Sequence, residues 1–155
     1  MKIAVSTVVE APLQEVWRAY TTPEDIKVWN TASPDWHTTA SSVDLRPGGK
    51  FSSRMEAKDG SFGFDFAGEY TRVIPFELIE YTFGDRLGLV EFATRVEGIV
   101  VSVTFDSEPT HSEDQQRTGW QAILDSFARH VKGKRASEQQ ATPFERVDRD
   151  PTRTG

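Results

Sequence analysis

The chain has 155 residues, which suits one domain with a substantial core and is short for two. Its formal net charge of −6 disfavours nucleic acid as a partner, because an acidic surface repels phosphate backbones. Cysteine is absent, which excludes a disulfide framework and thiolate chemistry. No stretch approaches the roughly 18 apolar residues of a membrane span, and the N-terminus lacks the apolar core of a signal peptide. We therefore expect a cytoplasmic protein without a membrane partner.

The first part of the chain predicts a strand followed by two short helices. Residues 2–10 alternate between apolar and polar side chains, as in a half-buried strand. Pro12 is suited to a first helical turn, and Val16 and Tyr20 follow it at helical spacing. Pro23 then begins a second short helical pattern that reaches residue 29. Two helices are therefore expected directly after the first strand.

The middle of the chain predicts six further strands. They are expected at 36–46, 50–57, 62–74, 77–83, 87–96 and 99–105. Short segments rich in glycine and proline separate them, such as Pro47-Gly48 and Asp59-Gly60, which are typical of tight turns. Since short connections join strands in antiparallel pairs, these strands and the first one predict a seven-stranded antiparallel sheet.

A long helix is predicted near 112–132. Ser112 and Gln115 have the spacing of a capping box at its start. Large apolar residues then form one stripe over about five turns. The stripe consists of Trp120, Ile123, Leu124, Phe127 and Val131. Gly133 is the expected end of this helix, and such a helix is long enough to cross the width of a sheet.

The last part of the chain differs in composition. Residues 134–155 mix charges of both signs and lose the apolar periodicity, which predicts a disordered tail. Within it, Phe144 and Val147 are the residues that could anchor to the folded part. The expected organisation is therefore one domain over 1–133 and a C-terminal tail over 134–155.

Four stretches of sequence carry a resemblance to a known superfamily. They are APLQEVWRAYTTPEDIKVWN, VDLRPGGKF, FAGEYTRVIPFELIEYTFGD and VTFDSEP with HSEDQQRTGWQAILDSFARHV. In these stretches the chain resembles the START-like superfamily, which has the helix-grip or birch-pollen-allergen fold. Within that superfamily it is similar to the bacterial stand-alone members related to the activator of the heat-shock-protein-90 ATPase. The resemblance implies an α+β architecture, with a curved antiparallel sheet wrapped around the long C-terminal helix.

The resemblance also implies the kinds of function to consider. The first is binding of a small hydrophobic molecule, planar or aromatic, such as a lipid or polyketide, in an apolar cavity between sheet and helix. The second is an aromatase- or cyclase-like enzyme acting in that cavity. The third is a chaperone co-regulator, with a role in the stress response, acting through protein interaction. No acidic residue is paired with a basic residue on the same inward face, which favours binding over catalysis. The eukaryotic activator uses a further domain to bind its partner, which counts against the chaperone role. We expect no cofactor, and a monomer or weak dimer.

Aromatic residues are the candidate ligand contacts. Inward strand faces, the stripe of the last helix and the elements that cover one end of the cavity supply them. The set is Trp17, Trp29, Trp36, His37, Phe51, Phe64, Phe66, Tyr81, Phe83, Phe105, Trp120 and Phe127. Plain core packing is the alternative interpretation for the same residues, since composition does not separate a cavity wall from a core.

The remaining polar residues predict no catalytic or metal site. The histidines, His37, His111 and His130, are far apart and lack the spacing of metal ligands. We expect His111 and His130 at the surface and His37 near the mouth of the cavity. Asp65 alternates with the phenylalanines beside it, so it is expected to face water.

Overall fold

The computed structural model describes the backbone of residues 1–149 and the side chains of residues 1–138. The strands are β1 (Lys2–Val9), β2 (Trp36–Val43), β3 (Lys50–Ala57), β4 (Gly63–Ile74), β5 (Leu78–Phe83), β6 (Arg86–Arg95) and β7 (Gly98–Asp106). The helices are α1 (Leu13–Thr21), α2 (Pro23–Trp29) and α3 (Glu113–Arg149). The seven strands form one sheet in the order β1-β7-β6-β5-β4-β3-β2.

The sheet is antiparallel throughout, as predicted. Tight turns join β2 through β7 in sequence, and glycines with positive φ occupy four of them: Gly48, Gly60, Gly84 and Gly98. The connection through α1 and α2 is different, because it leads from one edge strand of the sheet, β1, to the other, β2. These two helices therefore span the sheet and close one end of the space above it.

Helix α3 begins with the predicted capping box. The backbone N–H of Gln115 donates to Ser112 Oγ at 3.1 Å, and the backbone N–H of Ser112 donates to Gln115 Oε1 at 3.0 Å. Further along, the side-chain amide of Gln121 donates to the backbone oxygen of Ser6 at 2.9 Å, which ties α3 to β1. The helix thus crosses the sheet at the β1 side, and the predicted helix-grip fold is confirmed.

The predicted end of the last helix at Gly133 is wrong. Helix α3 continues to Arg149, and Gly133 is not among the residues with the positive φ that commonly ends a helix. A glycine inside a helix costs only about 1 kcal/mol, and good helix-forming residues follow it. Ion pairs also hold the next turn: Lys134 Nζ lies 3.0 Å from Asp25 Oδ1, and Arg135 Nη1 lies 3.2 Å from Glu15 Oε2.

The division of the chain into a domain and a disordered tail stays a prediction. Residues 150–155 lie outside the described residues, and so do the side chains of Phe144 and Val147. Among the described residues, no helix is long and apolar enough to cross a membrane.

Candidate functional site: an aromatic cavity

A cavity of about 680 Å³ lies between the sheet and the N-terminal half of α3. Strands β2 to β7 supply its floor, and α1 and α2 supply one of its ends. Helix α3 lines the cavity with residues from one of its faces, all before residue 127: Gln116, Gly119, Trp120, Ile123 and Leu124. The volume falls within the range of about 300–1,000 Å³ that small-molecule sites occupy.

Eight of the predicted ligand contacts line this cavity. They are Trp29, Trp36, Phe51, Phe64, Phe66, Tyr81, Phe83 and Trp120. Their rings contact one another: the ring centre of Phe66 lies 5.5 Å from that of Phe83 and 6.1 Å from that of Trp120. Such edge-to-face arrangements add to the stability of the wall and leave ring faces available. Whether these residues contact a ligand stays a prediction.

Two glycines give the wall its shape, because each lies directly opposite an aromatic residue on the neighbouring strand. Gly68 pairs with Phe51, and Gly88 pairs with Tyr81. A Cβ atom on Gly88 would lie 2.3 Å from Cζ of Tyr81, and a Cβ atom on Gly68 would lie 2.8 Å from Cζ of Phe51. Each ring therefore packs flat against the backbone of a glycine, and the volume above the ring stays open as part of the cavity.

Four of the predicted contacts lie elsewhere. Phe127 and Phe105 are fully buried; Phe127 packs against Trp29 with ring centres 5.1 Å apart, and Phe105 stacks behind Trp120 at 3.9 Å. Trp17 packs in the core against Phe92. His37 is exposed and lines a second, smaller pocket. The periodicity of a strand or a helix predicts which side chains face inward, but it does not predict which inward side chains reach the open space.

Three tyrosines supply polar groups to the otherwise apolar wall. Tyr20 from α1 and Tyr70 from β4 join Tyr81, with which Tyr70 is directly paired. Burial raises the pKa of all three tyrosines. To a smaller degree, neighbouring tyrosines raise the pKa of Tyr20 and Tyr81, and the nearby Asp44 raises that of Tyr70. All three are therefore neutral hydroxyl groups that can donate or accept a hydrogen bond.

Tyr20 and Tyr70 were missed as candidates, although the sequence contains a signal for both. Tyr70 shares the strand face of Phe64 and Phe66, and Tyr20 follows Val16 at helical spacing. Those positions mark them as inward. Their place beside the open space depends on how α1 lies over the sheet, which the sequence pattern does not give.

The loop before α3 forms a polar edge of the cavity. Glu108 accepts hydrogen bonds from the backbone N–H of Thr110 at 2.9 Å and of His111 at 2.7 Å. Desolvation of the carboxylate raises the pKa of Glu108, but these hydrogen bonds outweigh it and hold the pKa at about 2. The side-chain amide of Gln116 donates to the backbone oxygens of Glu108 and His111, at 2.9 Å each, and so fixes the loop on the helix. His111 is exposed as expected, and it also borders the cavity.

A buried carboxylate links α2 to α3 outside the cavity. Asp25 is 6% exposed, and its Oδ1 lies 2.8 Å from Nε2 of His130 and 3.0 Å from Nζ of Lys134. The surface position expected for His130 is therefore wrong, since its side chain is only 14% exposed. It is buried because Asp25 faces it from α2. This cluster holds α2, which carries the cavity residues Ile26 and Trp29, against the C-terminal half of α3.

The structure supplies no metal site among the described residues, where no three histidine or acidic side chains come together with ligand geometry. Asp65 faces water as expected, with its side chain 62% exposed and 3.5 Å from the guanidinium of Arg54.

Comparison with known proteins gives the family. The sequence matches the family described as Activator of Hsp90 ATPase homolog 1-like protein over residues 10–132. The chain belongs to this family. No curated protein matches it at a significant level.

Solved structures agree with this assignment. An AHSA1-like protein from Aeromonas hydrophila is 45% identical, with a TM-score of 0.82 over 86% of this chain and 94% of its own. A protein from Cytophaga hutchinsonii is 41% identical, with a TM-score of 0.75 over 86% of this chain and 93% of its own. A protein from Nitrosomonas europaea, at 21% identity, has a TM-score of 0.73 over 88% of this chain and 97% of its own, and so shares the fold.

Proposed function

We propose that this protein binds a small hydrophobic molecule with a planar or aromatic part in the cavity between the sheet and α3. The observation that carries the proposal is the cavity of about 680 Å³ with its wall of aromatic rings. A core of this kind normally packs without such space, and unfilled volume lowers stability because the wall loses dispersion contacts. A bound planar molecule would restore those contacts.

The polar groups of the wall support a mostly apolar ligand that carries an oxygen or nitrogen atom. The hydroxyls of Tyr20, Tyr70 and Tyr81 are neutral, because burial raises the pKa of each. Among the described residues that line the cavity, Arg86 and Glu108 are the charged side chains, and both lie at its edge near the start of α3. An apolar ligand therefore meets little charge that it would have to desolvate.

A dye-binding experiment with a cavity-filling variant tests this proposal. Ser53 is 6% exposed and lines the cavity, whereas Ser52 is the next residue on the same strand and faces the other side of the sheet. The neutral fluorescent probe N-phenyl-1-naphthylamine should bind the unchanged protein with micromolar affinity. At a concentration one hundred times its Kd it should stabilise the fold by about 2.7 kcal/mol.

The two serine variants separate the cavity from the outer face. Ser53→Phe places a ring in the cavity and should weaken dye binding roughly tenfold or more, while Ser52→Phe should leave it within twofold. Thermal unfolding of both variants checks that each is folded. Equal loss in the two variants, or no binding to the unchanged protein, would overturn the proposed function.

A further inference from the structure

A second pocket of about 290 Å³ lies beside the mouth of the aromatic cavity. Helix α2 and the loop after it form one wall, with Lys27 and Thr31. The start of β2 adds His37, the turn directly after β3 adds Lys58, and α3 adds Ser126 and Arg129. We refer to this space as the basic pocket.

The charge of the basic pocket is opposite to that of the whole protein. Three cationic side chains, Lys27, Lys58 and Arg129, line it together with a histidine and several hydroxyl groups. No carboxylate is among the described residues that line it, although the chain carries 24 acidic and 18 basic residues. Like charges that converge on one concave site repel each other unless an anion lies between them, and a concave site focuses their field.

Two of these cations have no carboxylate partner among the described side chains. Lys27 forms an ion pair with Glu24 at 3.3 Å on the same helix. Among the described side chains, by contrast, no acidic group lies within ion-pair distance of Lys58 or Arg129. Their charges are thus available to an anion, and hydroxyls such as that of Ser126 can add hydrogen bonds to its oxygens.

The loop between the two spaces is ordered by hydrogen bonds. The hydroxyl of Thr31 donates to the backbone oxygens of Ser33 at 2.7 Å and of Trp36 at 3.0 Å. The backbone N–H of Lys58 donates to the backbone oxygen of Asp35 at 2.8 Å, which fixes the end of β3 against this loop. The backbone of Lys58 is therefore fixed next to the loop.

The basic pocket and the aromatic cavity share three lining residues: Ala32, Ser33 and Trp36. The two spaces therefore adjoin at these residues. From this geometry we propose that the ligand is an anionic amphiphile, whose apolar body fills the aromatic cavity while a carboxylate, sulfonate or phosphate group lies in the basic pocket. This inference rests on the proposed function, and it names the chemical class of the ligand.

A pair of dyes tests the inference. 8-Anilinonaphthalene-1-sulfonate and N-phenyl-1-naphthylamine share one aromatic skeleton and differ in the sulfonate. Lys58→Gln with Arg129→Gln removes the two available cations of the pocket. Lys132→Gln with Arg95→Gln is the matched control, since both residues are exposed, lie outside the pocket and change the net charge equally, from −6 to −8.

The pocket variant should bind the sulfonate dye about fivefold more weakly than the unchanged protein, because two exposed ion pairs to the sulfonate are lost. Its affinity for the neutral dye should stay within twofold. The control variant should leave both affinities within twofold. Added salt should weaken sulfonate binding to the unchanged protein more than to the pocket variant, because ions screen exposed charges. Equal losses in the two double variants, or none in either, would overturn the inference while neutral-dye binding still supports the cavity. Failure of both dyes to bind would overturn the proposed function itself.

Displacement of the neutral dye distinguishes the two sources of such an amphiphile. Dodecanoate represents an acyl chain and 2-naphthoate an aromatic acid, and the methyl ester of each is the uncharged control. The acid that displaces the dye better than its own ester identifies the source, and that preference should disappear in the pocket variant. Esters that displace as well as both acids would contradict a role for the basic pocket.

Discussion

The two halves of α3 face different surroundings, although both carry large apolar side chains. Phe127 and Val131 pack into a solid core with α1, α2 and β1, and Phe127 is fully buried there. Ile123 and Trp120, one and two turns before Phe127, are only half-buried and border the open cavity. One continuous apolar stripe therefore stabilises the fold at one end and forms a binding wall at the other.

The difference comes from what lies opposite each half of the helix. At the solid end, α1 and α2 cover the sheet, and Tyr20 and Trp29 pack edge-to-face on Phe127 at 5.1 Å. At the open end, the first turns of α3 lie over the sheet with the cavity between them, and Gly68 and Gly88 let the rings of Phe51 and Tyr81 lie flat. A single helix does not fill the concave face of a seven-stranded sheet, so the uncovered part remains open.

Truncation of the two halves of the stripe should give the largest contrast. Phe127→Ala should lower the free energy of unfolding by about 3–5 kcal/mol, since it leaves a hole in a packed core. Trp120→Ala should cost about 2 kcal/mol, because its side chain is half-buried, and it should weaken dye binding more than Phe127→Ala does. Urea denaturation measures both costs. A Trp120→Ala variant as unstable as Phe127→Ala would mean that the open end is packed as tightly as the other.

Gly88→Ala should disturb the open end next. The added Cβ would lie 2.3 Å from Cζ of Tyr81, so the ring has to tilt toward the cavity. We expect a loss of about 1–3 kcal/mol, as for overpacking elsewhere, together with weaker binding of the neutral dye. Thermal unfolding and dye titration measure the two effects. Unchanged stability and unchanged affinity would show that the glycine does not shape the wall.

Gly133→Ala examines the helix beyond the solid end. Gly133 lies within α3, and apart from its own stretch of helix no described atom lies within 4 Å of where a Cβ would be. Alanine should therefore raise the free energy of unfolding by about 0.5–1 kcal/mol through higher helix propensity. A loss of stability would mean that Gly133 needs a left-handed conformation and ends the helix, as the sequence pattern predicted.

The smallest effect is a pH dependence at the edge of the cavity. The pKa of Glu108 is held at about 2, below its ordinary value of 4.5, so its hydrogen bonds stabilise the fold above pH 4.5. This contribution is lost as the pH falls from 4.5 toward 2. The unchanged protein should therefore lose stability more steeply over that interval than Glu108→Gln, as followed by urea denaturation at several pH values. If the free energy of unfolding fell equally steeply with pH in the two proteins, the low pKa of Glu108 would be contradicted.

The fold was predictable from the sequence because its signals are local. Alternation predicted the strands, Ser112 and Gln115 predicted the start of α3, and glycine-containing turn sequences predicted turns where the structure has glycines with positive φ. The end of α3 was not predictable in this way, since Gly133 looks like a stop, and the ion pairs of Lys134 and Arg135 with α2 and α1 depend on tertiary structure.

The site was predictable only in part, for a related reason. Strand parity and the helix stripe predicted inward side chains, and they did not distinguish Phe66 and Tyr81, which line the cavity, from Phe105 and Phe127, which do not. The basic pocket combines Lys27, Lys58 and Arg129 from three separate elements. No spacing in the sequence brings such residues together, so only the arrangement of the helices over the sheet reveals the pocket.

Nuclear Overhauser effects between bound N-phenyl-1-naphthylamine and the methyl groups of the protein show whether the dye lies inside the cavity. Ile79, Val90, Val103 and Leu124 line the cavity, whereas Val5, Val101 and Val131 lie in the solid core. We expect intermolecular effects from the dye to the first set and none to the second. Effects confined to exposed methyl groups such as those of Val28 and Val96, with none to the first set, would contradict this expectation.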